Sequence, residues 1–185
     1  ADATGNGRNG DVTAGAVWAE GTIDNALQTD GNDEVTRQDA EDFLDGLDAV
    51  SASVWVKADA TGVDRDLFFA ADPLGNDDNF GLRYDQDGFS GGGTNVVKAS
   101  ISTTGGTTFI ETQSNTQSTD WQHLVLTWQS GSGLSLYIDG ELAGTSADGG
   151  AVTGTVSGID RLMLGRGAKN AYWMGMLDDF QLFNR

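Results

Sequence analysis

The chain has 185 residues, a net charge of −18 and no cysteine. Without cysteine, neither disulfides nor thiolate metal sites can form. The negative charge argues against nucleic acids and anionic membrane surfaces as partners, because binding to either needs a positive surface. The length fits one all-β domain over residues 1–185, and 27 glycines beside a single proline favour many tight turns between strands.

The acidity itself has two interpretations. Only five of the 28 acidic residues are glutamate, so 23 are aspartate, a short carboxylate that suits calcium. Alternatively, the aspartates form a solvated surface, as in secreted proteins or in proteins from marine or high-salt habitats. Both interpretations place the protein outside the cytoplasm, so we expect a secreted or cell-surface location. No apolar run is long enough to span a membrane, and no signal peptide is recognisable.

Short apolar alternations separated by turn residues predict a chain of antiparallel strands. Asp139-Gly140 is a two-residue hairpin signal, and the segment Gln38–Asp48 has the spacing of a single helical turn. The segment Trp121–Trp128 is one of these alternations. The other predicted strands are Ala26–Thr29, Glu34–Arg37, Val50–Lys57, Leu67–Ala71, Phe80–Tyr84, Asn95–Ile101, Thr107–Thr112, Leu134–Ile138, Glu141–Thr145, Ile159–Gly165 and Tyr172–Phe183.

Several motifs follow one another in an order that is more specific than any one of them. They are Asp2-x-x-Gly5-Asn6-Gly7, Ala26-Leu27-x-x-Asp30-Gly31-x-Asp33, Val50-x-Ala52-x-Val54-Trp55-Val56-Lys57, Trp121-x-His123-Leu124, Leu136-Tyr137-Ile138-Asp139-Gly140 and Trp173-x-Gly175-x-Leu177-Asp178-Asp179-Phe180. With these motifs the chain resembles the laminin G-like, concanavalin A-like lectin/glucanase jelly-roll superfamily in its bacterial secreted form. The resemblance implies a two-sheet antiparallel sandwich, often with a structural calcium ion and usually without catalysis. It also implies a module of a larger extracellular chain, next to neighbouring domains, that binds glycans or proteins.

Asp178 is the first candidate metal ligand. It shares its strand parity with four apolar residues of the last strand, Met174, Met176, Phe180 and Leu182, so its carboxylate is expected to face the core. A buried carboxylate must bind a metal or accept hydrogen bonds. Two alternatives therefore stay open: a calcium ligand, or an acceptor for loop N–H groups or an arginine. Calcium takes 6–8 oxygens, so Asp30, Asp33, Asp2 and Asn6 are the predicted companion ligands.

The candidate ligand-binding residues lie in or beside the two longest loops of the middle region, because long loops on a rigid sandwich commonly carry binding surfaces. Tyr84 and Phe89 are the predicted aromatic platforms, since a flat ring matches the apolar face of a pyranose. Polar residues of the same region are the predicted partners of sugar hydroxyls. These are Asp77, Asp78 and Asn79, and Tyr172 is added from the start of the last strand.

Catalysis is not expected. Retaining glycosidases need two carboxyl groups about 5 Å apart, and in sandwich glucanases both come from one strand as E-x-D-x-x-E or E-x-D-x-E, a string absent here. The single histidine, His123, has no evident nucleophile or metal partner. We therefore predict a non-catalytic, calcium-stabilised carbohydrate-binding module. The alternatives are an adhesion or spacer module that binds protein or no ligand and, further off, a divergent glycoside hydrolase or polysaccharide lyase.

Overall fold

A computed structural model of the protein describes residues 2–13, 15–72, 78–89, 92–146, 151–167 and 171–185, without the side chain of Asp78. These residues form fourteen strands and one short helix, α1 (Glu41–Leu44). The strands are β1 (Asp11–Val12), β2 (Val17–Glu20), β3 (Asn25–Asp30), β4 (Val35–Gln38), β5 (Ala49–Ala58), β6 (Arg65–Ala71), β7 (Asp78–Asp85), β8 (Val96–Thr103), β9 (Gly106–Glu111), β10 (Gln122–Gln129), β11 (Gly133–Ile138), β12 (Glu141–Thr145), β13 (Arg161–Leu164) and β14 (Met174–Phe183).

The strands make two antiparallel seven-stranded sheets that pack face to face, which confirms the predicted jelly-roll sandwich. Sheet A has the order β1-β4-β13-β6-β7-β8-β9, and sheet B has the order β12-β11-β10-β5-β14-β3-β2. Neighbours in these sheets are often distant in sequence, so the sandwich depends on long-range pairing. The predicted strands and the helical turn are all present, and Asp139 and Gly140 both have the positive φ that a two-residue hairpin turn requires.

The core lies between the sheets and follows from strand alternation. In β5 the even-numbered residues Val50, Val54 and Val56 are 0–2% exposed, as their spacing predicts. Trp128, Trp173 and Tyr84 are the largest buried side chains. Each fully buried large apolar side chain contributes roughly 1.5–3 kcal/mol, so the two sheets hold together without disulfides.

The two lateral edges of the sandwich differ. At one edge β9 approaches β11 and β12, and a Cβ added to Gly144 would lie 3.0 Å from the Glu111 carbonyl oxygen. The sheets therefore close tightly there. At the opposite edge, where β1 ends sheet A and β2 ends sheet B, the sheets stay apart and enclose a groove of about 620 Å³. We call this space the inter-sheet groove.

A bulge in β14 changes the side of the sheet on which Asp178 lies. The pairing of β14 with β5 shifts between Asp178 and Gln181, and Asp179 has a φ of 45°. Before the bulge Leu177 pairs with Val56 and faces the core, whereas Asp178 pairs with Trp55 on the outer face. The prediction that Asp178 faces the core is therefore wrong. Phe180 and Leu182 do pack against the core, but they lie beyond the bulge, so their parity does not extend back to Asp178, Met176 and Met174.

Candidate functional site

A cleft lies on the outer face of sheet A, where the strand register brings small residues between aromatic ones. Phe109 of β9 pairs with Ser100 of β8, Ser100 with Gly81 of β7, and Gly81 with Phe69 of β6. Side chains at paired positions lie on the same face, so the glycine and the serine leave a recess between two phenylalanines. These residues line a space of about 260 Å³, which we call the outer cleft.

Charged side chains close one end of the outer cleft. Lys98 of β8 pairs with Arg83 of β7, two residues along each strand from Ser100 and Gly81 and therefore on the same face. Lys98 Nζ lies 2.9 Å from Asp85 Oδ2, and Arg83 lies 3.3 Å from Asp85 and 3.5 Å from Asp66. Burial acts to raise the pKa of Asp85, but the hydrogen bond from Lys98, the Asp87 N–H and the charge of Arg83 outweigh it and lower the pKa. Asp85 is therefore a fixed anion between two cations.

Phe89 forms a wall of the outer cleft, so its predicted position beside a ligand surface agrees with the geometry. Its ring meets the ring of Phe109 edge-on at a centroid distance of 5.5 Å, and Lys98 Nζ lies 4.3 Å from its centroid. Glu111 fixes the backbone here by accepting hydrogen bonds from the N–H groups of Phe89 (2.6 Å) and Gly93 (3.0 Å). The cleft thus holds two aromatic rings with an interplanar angle of 63°, and the Lys98 ammonium group lies over one of them.

The prediction that Tyr84 presents a ligand surface is wrong. Tyr84 alternates with Phe80 and Leu82, so it points into the core, where it is 0% exposed. Its hydroxyl donates to Gln122 Oε1 at 2.6 Å, and its ring packs edge-on against Trp173. Burial raises the pKa of Tyr84 to about 12, with a smaller contribution from the charge of Asp139 against a backbone hydrogen bond to Ser118.

Asn79 is likewise not available to a ligand. It is 7% exposed, and its Nδ2 donates to the carbonyl oxygens of Gly158 (3.0 Å) and Ser157 (3.4 Å), so it holds a turn in place. Tyr172 lies under the guanidinium of Arg166, 5.2 Å from its carbon to the ring centroid, and does not line the outer cleft. Asp77 and the side chain of Asp78 lie outside the described residues.

The predicted metal ligands fall into separate places. Asp30 and Asp33 do share a turn: Asp33 Oδ2 accepts the Asp30 N–H at 3.2 Å, and Asp33 is 0% exposed. With its amide oriented to donate, Asn32 bridges Asp30 Oδ1 (2.9 Å) and Asp33 Oδ1 (3.0 Å). These oxygens fit calcium in kind, and backbone or water oxygens would have to complete a shell of 6–8.

Asp178 has another arrangement. Its Oδ2 accepts the N–H groups of Thr22 (2.8 Å) and Ile23 (2.7 Å), which is the backbone alternative left open by the sequence. Asp30 pairs with Met174, four residues from Asp178 along β14, a separation of roughly 13 Å at ~3.3 Å per residue. One ion cannot contact both carboxylates. No three acidic or histidine residues converge on a metal-sized site anywhere in the described part of the chain.

The Asp2–Asn6 loop is held together by its own side chains. Asp2 Oδ1 accepts from the N–H (2.8 Å) and hydroxyl (2.6 Å) of Thr4, and its Oδ2 accepts the Arg8 N–H. These bonds, led by the Thr4 hydroxyl, lower the pKa of Asp2 to about 2. Asn6 donates to the same Thr4 hydroxyl. Because no three acidic residues converge among the described residues, the predicted five-residue ligand set does not assemble.

The sequence analysis did not identify most residues of the outer cleft, although the alternation along β7 indicates them. In β7 the residues Gly81, Arg83 and Asp85 alternate with Phe80, Leu82 and Tyr84, so the outward set was readable once the inward set was known. What the sequence does not reveal is which strands lie beside β7. Only the pairing with β6, β8 and β9 brings Phe69 and Phe109 to the same recess.

The sandwich agrees with comparisons to known proteins. The family model for the concanavalin A-like lectin/glucanases superfamily matches residues 29–185. The chain belongs to this superfamily. No curated protein sequence matches the chain. Among the described residues, no helix is long and apolar enough to cross a membrane.

Solved structures support this membership of the superfamily at the level of the fold. Domain 4 of AbnA, an extracellular GH43 arabinanase from Geobacillus stearothermophilus solved with arabinotriose, is 19% identical with a TM-score of 0.67, covering 98% of this chain and 84% of that one. The binding domain of Paraclostridial Mosquitocidal Protein 1 is 19% identical with a TM-score of 0.72, covering 100% of this chain and 46% of that one. The receptor-binding domain of botulinum neurotoxin mosaic serotype C/D is 15% identical with a TM-score of 0.64, covering 96% and 43%.

Proposed function

We propose that the protein is a non-catalytic carbohydrate-binding module that binds a neutral sugar unit in the outer cleft. One observation carries the proposal: the strand register sets Gly81 and Ser100 between Phe69 and Phe109, with an ion pair at the end of the recess. Sugar sites combine an aromatic surface with a few fixed polar groups, and the outer cleft has both. The complex of the arabinanase domain with arabinotriose adds support by analogy of fold.

The polar groups suit hydroxyls better than a charged sugar. A hydroxyl both donates and accepts, so it can accept from Lys98 or Arg83 while donating to Asp85. Both cations are already neutralised by carboxylates, so a uronic acid would have to displace an ion pair. Its approach would also be opposed by the net charge of −18. A neutral pyranose or furanose therefore fits the outer cleft best.

The carboxylates around the outer cleft favour binding without bond cleavage. A glycosidase needs one carboxyl group with a raised pKa as the general acid, whereas the pKa of Asp85 is lowered. Both oxygens of Glu111 accept backbone N–H groups, so this side chain is fixed as a loop anchor. Turnover of a polysaccharide would overturn the non-catalytic part of the proposal.

The chain offers a matched pair of variants to test the ligand site. Phe109 in β9 and Leu142 in β12 are 53% and 57% exposed, and both lie on edge strands of their sheets. We expect Phe109→Ala to weaken glycan binding by at least tenfold. The substitution removes the aromatic contact, which contributes about 0.5–1.5 kcal/mol beyond the burial of area, and it also removes the apolar area that the ring buries. Leu142→Ala should leave binding within twofold of wild type.

Glycan affinity is measured for both variants in two steps. Affinity electrophoresis in a panel of neutral and acidic polysaccharides identifies the glycan that retards the protein, and calorimetry with that glycan gives the affinity. Equal loss in Phe109→Ala and Leu142→Ala, or retention of acidic polysaccharides alone, would contradict the proposed site. Failure of the wild-type protein to bind any glycan in the panel would favour the alternative, an adhesion or spacer module.

We also propose that a structural calcium ion binds at the Asp30–Asp33 turn of a secreted or cell-surface protein. At a free calcium concentration of ~100 times Kd, an ion bound only by the folded state stabilises it by ~2.7 kcal/mol, about 5–10 °C in Tm. Chelation should lower Tm by that amount, and Asp33→Asn should abolish the response while Asp178→Asn keeps it. Identical melting curves with and without chelator would remove the claim.

A further inference from the structure

The inter-sheet groove is the larger of the two cavities, and leucines from both sheets are among the residues that line it. Leu27, Leu177 and Leu182 line it from sheet B, and Leu162 and Leu164 from sheet A. Leu164 and Leu182 pack against the core but remain partly exposed. The volume of about 620 Å³ falls within the ~300–1,000 Å³ range of small-molecule pockets.

Two arginines line the same groove without a carboxylate partner among the described residues. Arg37 pairs with the core residue Leu162, so the register turns its side chain toward the space between the sheets. Its Nε is enclosed and makes no hydrogen bond in the described part of the chain. Arg8 lies over the Phe43 ring, 4.7 Å from its guanidinium carbon to the centroid. In a protein with 28 acidic residues, two unpaired guanidiniums in one apolar groove require an explanation.

The carboxylates that also line the groove are already engaged elsewhere. Asp2 accepts hydrogen bonds from Thr4 and Arg8 backbone groups. Asp178 accepts two turn N–H groups, and Asp179 accepts from Gln181 Nε2 at 2.6 Å. The guanidiniums of Arg8 and Arg37 are therefore left to bind an anion. Arg8 is exposed, whereas Arg37 is half-buried, and a half-buried charge without a partner costs free energy that a bound anion would recover.

We propose that the inter-sheet groove binds an anionic amphiphile with a single aliphatic chain, of the fatty-acid class. The chain lies among the leucines, where each buried CH₂ contributes about 0.8 kcal/mol. The carboxylate lies at Arg37, with Arg8 as a second donor. Guanidinium and carboxylate match in shape and pair through two parallel hydrogen bonds.

Other occupants fit less well. A second copy of the chain carries the same net charge of −18 and would be repelled. A sugar has no aliphatic chain to bury among the leucines. For the small anion, repulsion from distant aspartates is screened beyond ~8 Å at physiological salt. The nearer carboxylates of Asp2, Asp178 and Asp179 already accept hydrogen bonds from other groups, which leaves Arg37 and Arg8 as the donors for the anion.

The test is calorimetric titration of the full chain with decanoate, held below the concentration at which micelles form, at physiological salt. We expect one equivalent to bind. Arg37→Gln, which keeps the aliphatic stem, should weaken binding at least tenfold, and Lys57→Gln, which removes an exposed unpaired cation elsewhere in sheet B, should change it less than twofold. In wild type, 1-decanol should bind at least tenfold more weakly than decanoate, and Arg37→Gln should reduce that preference.

If Arg37→Gln does not fold, Arg8→Gln serves as the second test in the same titration. We expect Arg8→Gln to weaken decanoate binding as well. Phe109→Ala should bind decanoate as wild type does, which separates this site from the outer cleft. Absence of decanoate binding by the wild-type protein would overturn the proposal. So would equal binding of decanoate and 1-decanol, equal effects of Arg37→Gln and Lys57→Gln, or a wild-type dimer in light scattering whose interface occupies the groove.

Discussion

The outer cleft and the inter-sheet groove are two cavities of one sandwich, and they differ in whether their positively charged side chains have carboxylate partners. In the outer cleft, Arg83 and Lys98 both contact Asp85, and the recess beside them is walled by phenylalanine. In the inter-sheet groove, Arg8 and Arg37 have no carboxylate partner among the described residues, and five leucines line the walls together with valine and aromatic side chains. The difference indicates two ligand chemistries: hydroxyl groups, which both donate and accept, at the first cavity, and an anion with an apolar tail at the second.

The largest expected effect comes from a substitution that alters the outer cleft and leaves the inter-sheet groove unchanged. A Cβ added at Gly81 would overlap the Phe69 ring and come within 2.9 Å of the Phe68 carbonyl oxygen. Gly81→Ala must therefore displace Phe69, at a cost of about 1–3 kcal/mol in unfolding free energy. We expect glycan binding to be lost and decanoate binding to be retained. Denaturant unfolding and both titrations measure this.

Ser102→Ala is the control for this prediction. Ser102 lies on the same outer face, one paired position beyond Ser100 toward the end of β8. Its substitution removes an exposed hydrogen bond between the Ser102 and Thr107 hydroxyls (2.8 Å), so it should lower the unfolding free energy by about 0.5–1.5 kcal/mol at most and leave both ligands bound. If Gly81→Ala keeps full glycan affinity, the floor of the outer cleft is not part of the ligand site.

A smaller effect distinguishes the inward side of β7 from the outward side. Tyr84→Phe removes the hydroxyl that donates to Gln122, with an expected loss of about 1 kcal/mol at neutral pH. Glycan affinity should not change, because Tyr84 is buried. A tenfold loss of glycan affinity in a folded Tyr84→Phe variant would show that the two sides of the strand are coupled.

The unfolding free energy of Tyr84→Phe should depend on pH differently from that of the wild type. Burial raises the folded-state pKa of Tyr84 to about 12 from its ordinary value of 10.0. The neutral phenol is thus favoured by folding, so its contribution to stability is complete below pH 10 and is lost as pH rises toward 12. Wild type should lose unfolding free energy over that interval, and the loss should be smaller in Tyr84→Phe. Parallel pH profiles would contradict the assignment.

Strand alternation made most of the fold predictable, whereas the sites depend on pairing between distant segments. The alternation of β5 predicts that Val50, Val54 and Val56 share one face, and all three lie in the core because the strand is regular along its length. Parity failed for Asp178 because a bulge lies immediately after it, with Asp179 in a left-handed conformation. No local pattern marks that bulge.

Tyr84 shows a second limit of sequence reasoning. Its place beside a long loop suggested exposure, although its alternation with Leu82 already indicated the core. Phe109 shows the converse: nothing near it in sequence relates it to Phe69, and only the order β6-β7-β8-β9 brings them to one recess. The outer cleft is thus a product of topology, which the sequence specifies only through long-range strand pairing.

The most direct test of the proposed carbohydrate site is to map a bound neutral glycan by NMR. Backbone amide shifts would be followed while the glycan retained in affinity electrophoresis is added to the labelled wild-type protein. We predict that the largest changes occur at Gly81, Lys98, Ser100 and Phe109, on four neighbouring positions of three strands, with the groove residues Leu164 and Leu182 unmoved. Changes centred on the groove, or on sheet B around Leu142, would contradict the assignment of the outer cleft as the sugar site.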